Sequence, residues 1–82
     1  MSFPRPKKRS VTLRGHRTSV SLEDPFWEIF CEIARSQGRS INALAAELDA
    51  AREPPASLAS AIRLFVLEWV LQNPKPSSAN LG

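Results

Sequence analysis

The spacing of apolar residues changes along this chain. From Ser10 to Arg14, and again from Arg17 to Leu22, apolar and polar residues alternate, the period of a half-buried strand. Within Arg17 to Leu22 the alternation puts Thr18, Val20 and Leu22 on one face and Arg17, Ser19 and Ser21 on the other. One face requires a core, and the other requires a polar partner. Ahead of it, Val11 and Leu13 occupy odd positions whereas Val20 and Leu22 occupy even ones, so a single straight strand would turn the two apolar pairs to opposite faces. A bulge at Gly15-His16 restores the parity. So does a two-residue hairpin with Gly15 first in the loop, which sets Val11 opposite Val20. A third reading leaves residues 10–16 as an arm, and the pattern does not choose among the three.

From Asp24 onward the spacing becomes helical. Over residues 24–37, Phe26, Ile29, Phe30 and Ile33 recur at three and four, with Asp24 as a cap, Pro25 at the first helical position and Gly38 just past the end. Trp27, Cys31 and Ala34 widen that face. A second helix is expected from a Ser40 cap to about Ala51, with Ile41, Leu44, Ala45 and Leu48 buried and Pro54-Pro55 beyond its end. A third is expected from a Ser57 cap to about Leu71, and it is apolar almost all round. Such a helix needs cover on several sides, so the third helix is expected to pack across a subunit interface.

Length sharpens that expectation, because 82 residues bury too little surface to make a lone monomer more than marginal. With one cysteine, Cys31, and one histidine, His16, neither disulfides nor a metal site is available as a supplement, and oligomerisation remains. Cys31 is expected as a small core residue and His16 as a turn or phosphate-facing one. No set of side chains forms a catalytic constellation, so the chain is read as no enzyme, with no cofactor and no metal. The most apolar run, Leu64 to Leu71, is interrupted by Glu68 and too short to span a membrane, and no apolar segment follows the basic start as in a signal peptide. A cytoplasmic protein, on the nucleoid when bound, is the expectation.

Charge narrows the choice of polar partner. Residues 1–17 carry Arg5, Lys7, Lys8, Arg9, Arg14 and Arg17 without an acid, while residues 18–82 carry five bases against eight acids. The net +3 therefore conceals a +6 end and a −3 remainder, and the former attracts a polyanion, either nucleic acid or an anionic membrane surface.

Three segments together resemble the ribbon-helix-helix family of bacterial DNA-binding proteins. They are the strand Arg17 to Leu22, the junction Glu32-Ile33-Ala34-Arg35-Ser36-Gln37-Gly38-Arg39-Ser40-Ile41-Asn42, and the start of the second helix, Leu44 to Leu48. Lys8 to Glu23 and the segment Leu58 to Glu68 look like a branch of that family with a basic N-terminal extension and a third helix. The resemblance implies a mainly α fold with one short β-strand, an intertwined homodimer whose strands pair antiparallel, and a two-stranded ribbon in the major groove of double-stranded DNA. By that likeness Arg17, Ser19 and Ser21 face the bases, as the alternation also has it.

Of these, Arg17 is the strong discriminator, since a guanidinium bonds two acceptors on guanine. The backbone N–H groups of Ser40, Ile41 and Asn42 would clamp a phosphate at a helix N-terminus. Lys7, Lys8, Arg9 and Arg14 would add phosphate contacts. The expected layout is a flexible basic arm over 1–9, a domain over 10–72 and a disordered tail over 73–82. The function is then a transcriptional repressor acting as a homodimer, with further dimers on adjacent sites. The alternative is an antitoxin-like adaptor that binds another protein through helix 57–71. A competing geometry is a hairpin on each ribbon edge, giving a sheet four strands wide, too broad for the groove.

Overall fold

Arg14 and Gly15 turn the chain back on itself. In the computed structural model, which describes residues 4–74, both have positive φ, 52° and 84°. Positive φ at both central positions is the signature of a type I′ loop, the tight turn whose twist suits a hairpin. It joins β1 (Lys7–Leu13) to β2 (His16–Leu22) in antiparallel register, with Leu13 opposite His16, Val11 opposite Thr18 and Arg9 opposite Val20.

The hairpin reading of the sequence therefore holds, with one correction: Gly15 takes the second loop position, so Val20 faces Arg9 and not Val11. The bulge and the arm are excluded. Two further expectations change with them. The chain carries two strands, not one, and Lys7, Lys8 and Arg9 belong to β1 and not to a flexible arm.

Paired residues share a face, so one side of the hairpin presents Arg9, Val11, Leu13, Val20 and Leu22 to the helices. Three helices follow: α1 (Asp24–Ser36), α2 (Ile41–Ala51) and α3 (Leu58–Gln72). Val11, Val20 and Leu22 from the hairpin meet Phe30 and Ile33 of α1, Leu44 and Ala45 of α2, and Ile62 and Val66 of α3 in one buried cluster. Phe30 lies at its centre, edge-on to Phe65 at 6.3 Å between ring centroids. Cys31 is only half-buried and stands at the margin of this core, not within it.

Helix ends follow their caps. Ser40 accepts from the Ala43 N–H at 3.0 Å and Ser57 from the Ser60 N–H at 3.1 Å, as the sequence suggests. Gly38, with φ 65°, closes α1 while the Arg39 N–H reaches back to the Ala34 carbonyl. The expected Asp24 cap fails, because Asp24 is already helical and Glu23, which precedes it, makes no side-chain cap bond. Asn73 caps α3 by donating to the Trp69 carbonyl, and the remainder of the expected tail, from residue 75, lies outside the described residues.

α3 is incompletely covered. Ile62 and Val66 are buried, whereas Leu64 (62% exposed), Leu67 (51%) and Leu71 (70%) form a stripe at helical spacing on its outer side. Beside that stripe, Pro25, Phe26, Ile29, Val66, Leu67 and Val70 line an open apolar groove of about 200 Å³. No described helix is long and apolar enough to cross a membrane.

Candidate nucleic-acid interface

The hairpin face turned away from the helices carries Lys8, Ser10 and Thr12 on β1 and Arg17, Ser19 and Ser21 on β2. Across the two strands these form the pairs Lys8–Ser21, Ser10–Ser19 and Thr12–Arg17. All are exposed except Thr12, which is half-buried. The result is a polar surface of four hydroxyls with a cation at either end. Arg14 extends it at the turn, also exposed.

Arg17, Ser19 and Ser21 are thus gathered on one open face as the alternation predicts. The hairpin of the competing geometry is present, and a sheet made of two such hairpins keeps the four-strand width, but hairpin formation leaves Arg17, Ser19 and Ser21 uncovered. Ser10 and Thr12 are additions that the sequence reading missed, since their place beside β2 depends on the chain doubling back at Gly15.

The N-terminal cations divide into two groups. Lys8, Arg14 and Arg17 lie on the open side, but Lys7 and Arg9, at odd positions of β1, turn toward the helices with Val11 and Leu13. Arg9 pairs with Asp24, donates to the Leu22 carbonyl and lies 5.5 Å from the Trp27 ring centroid. Lys7 reaches the other Asp24 oxygen at 3.0 Å. A half-buried guanidinium held by a carboxylate, a carbonyl and an aromatic face is not free to meet a phosphate. Arg9 is therefore a structural residue, whereas Lys7 is exposed and makes only a surface ion pair with Asp24.

Hydrogen bonds from Arg9 first, then Lys7, hold the Asp24 carboxyl below its ordinary 3.8, and Arg63 does the same for Glu23, whose ordinary value is 4.5. Arg63 meets Glu23 at 3.0 Å and joins α3 to the end of β2. Lowered carboxyl pKa values stabilise the fold above the ordinary carboxylate range, and that contribution is lost as pH falls through the folded values. Between about pH 5 and about pH 3 the melting temperature should therefore fall more steeply for the native chain than for a Glu23→Gln/Asp24→Asn double variant. Parallel melting curves would exclude these pairs as contributors.

The junction between α1 and α2 lies against the outer edge of β1. Asn42 Oδ1 accepts from the Thr12 N–H at 2.9 Å, so the first turn of α2 is joined to the strand. Ser40 spends its hydroxyl oxygen on Ala43, while the Ile41 and Asn42 N–H groups belong to the first helical turn, where no intrahelical partner exists.

Strand β2 differs. In a two-residue hairpin closed at Leu13 and His16, alternate residues face outward, so the backbone groups of Arg17, Ser19 and Ser21 point away from β1. Arg63 approaches the Ser21 carbonyl at 3.5 Å. Arg17 and Ser19 offer their edge unshared among the described residues. No group of three or more potential metal ligands occurs among the described residues.

No curated protein and no solved structure matches the chain. A family model does, the ribbon-helix-helix domain, over residues 6–70. Those residues run from the base of β1 nearly to the end of α3, and so include the hairpin, the α1–α2 junction and the third helix. Together the match and the architecture establish that this chain belongs to the ribbon-helix-helix domain family, whose members are generally DNA-binding transcription regulators.

Proposed function

We propose that the protein is a sequence-specific DNA-binding transcriptional repressor that works as a homodimer. Two copies pair β2 edge to edge, antiparallel about Ser19, and bring both sets of Arg17, Ser19 and Ser21 to the centre of one polar sheet surface. The observation that carries this reading is the coincidence, on one strand, of an open backbone edge and an exposed face bearing a guanidinium and two hydroxyls. The edge supplies dimerisation, and the face supplies base recognition. Arg17 bonds guanine in the major groove, and the serines donate or accept according to the base.

Phosphates are met by Lys8 and Arg14 and by the Ser40, Ile41 and Asn42 N–H groups at the start of α2. The apolar stripe of α3 is covered within the dimer, consistent with the need of so small a domain for additional buried surface.

Duplexes selected from a random pool at a fixed salt concentration provide the test. Arg17→Ala should lose about 1–3 kcal/mol for each base contact and should relax preference at the position it reads. Unchanged affinity and preference would exclude direct readout by β2. The Leu64, Leu67 and Leu71 stripe favours a second reading, a protein-binding adaptor of the antitoxin kind. Sedimentation distinguishes the two: a monomer with this stripe free favours the adaptor, and a dimer that buries it favours the repressor.

A further inference from the structure

We infer that β1 is a phosphate-contacting rim and not a second base-reading strand, with Ser10 and Thr12 joining Lys8 in that role. The inference rests on the DNA-binding reading above and extends the phosphate role of Lys8 to Ser10 and Thr12 on the same strand.

Width supports it. Four strands in the order β1, β2, β2, β1, at about 4.8 Å spacing, place the outer pair about 14 Å apart, whereas the major groove is about 12 Å wide. Each β2 then lies within about 3 Å of the dyad, inside the groove, and each β1 about 7 Å from it, beyond the groove's half-width of about 6 Å. What lies there is the sugar–phosphate backbone. The groove's width thus admits the two inner strands, leaves the outer two at its rim, and so divides the strands between two tasks.

The chemistry of β1 agrees with its place. On the open face it presents an ammonium and two hydroxyls, Lys8, Ser10 and Thr12, all able to donate to phosphate oxygens. None of the three forms the planar two-donor fork with which Arg17 can select guanine. Asn42 adds a second observation, because its bond to the Thr12 N–H fixes this strand to the first turn of α2. Strand hydroxyls and helix N–H donors are thereby held along the same edge as one rigid anion-facing ledge.

Phosphate and base contacts leave different signatures in a titration. The full-length protein and two variants, Lys8→Gln and Thr12→Val, are titrated over a salt series with a pool-selected duplex and with a scrambled duplex of equal length. Thr12→Val keeps the β-branched shape, and Lys8 is exposed, so both variants should fold. Lys8→Gln should lower the slope of log affinity against log salt by about 0.9 for each protomer's contact. Thr12→Val should weaken binding about fivefold on both duplexes. The ratio of selected to scrambled affinity should stay constant in both. A fall in that ratio would place β1 on the base edges and overturn the inference. So would variants with unchanged affinity and slope, which would put β1 off the DNA. Failure of the unmodified protein to bind either duplex would overturn the DNA reading itself, which separates the two failures.

Discussion

Ser19→Pro is expected to convert the proposed dimer into a monomer of the same fold but lower stability and to reduce DNA affinity by about 10²-fold or more, since the two half-interfaces would no longer bind as a linked pair. The argument depends on which way one N–H points. Leu13–His16, Val11–Thr18 and Arg9–Val20 are the pairs whose backbone groups face each other across the hairpin, so the Ser19 N–H faces outward. Proline removes that donor and fills its position with a ring, which an edge strand tolerates and a central strand does not. The hairpin should survive with unchanged helix content by circular dichroism, and only the second copy should be excluded. Thr18→Pro is the control, because the Thr18 N–H points into the hairpin and its loss should disrupt the fold. Should Ser19→Pro sediment as a dimer, pairing through the β2 edge is wrong.

The second large effect is in the core. Phe30 is fully buried, edge-on to Phe65 and 6.0 Å from the Trp27 ring centroid, and it joins α1 to α3 beneath the hairpin. Phe30→Ala should cost about 3–5 kcal/mol, through lost transfer energy and through the cavity left among neighbours that cannot collapse into it. That amount is a large share of a small domain's whole stability of about 5–15 kcal/mol. The variant should be largely unfolded or strongly shifted in a urea titration, with Phe30→Leu intermediate. A shift below about 1 kcal/mol would show that the site repacks and that Phe30 does not organise the core.

How far the sequence foretold this molecule depends on what each residue's role is coupled to. The helices were legible to within a residue or two because apolar spacing and the Ser40, Ser57 and Gly38 signals are local. The face carrying Arg17, Ser19 and Ser21 was legible for the same reason, since alternation within one strand needs no partner. What could not be read was whether the chain doubled back at Gly15, ran on through a bulge or stayed an arm, and, in a hairpin, which loop position Gly15 takes. Arg9 shows the consequence. Within a run of cations it reads as a solvated phosphate ligand, yet its odd parity, shared with Val11 and Leu13, was the available sign that it faces the helices. Its destination beside Asp24 and Trp27 follows only once the hairpin is known. Asp24 was misassigned for the complementary reason, as a capping residue whose carboxylate in fact belongs to β1.

The bond from Thr12 to Asn42 also determines how assembly stops. A hairpin with two open edges is a monomer unit of a fibre, able to add a neighbour on either side without limit. Here α2 occupies one side, with Lys8 placing a like charge farther along it, and only β2 remains available for pairing. Joining two such units through their available sides consumes both at once, and the product has closed two-fold symmetry with no growing end. On the proposed β2 pairing, removing the Asn42 amide would give up a safeguard against polymerisation as well as a local contact.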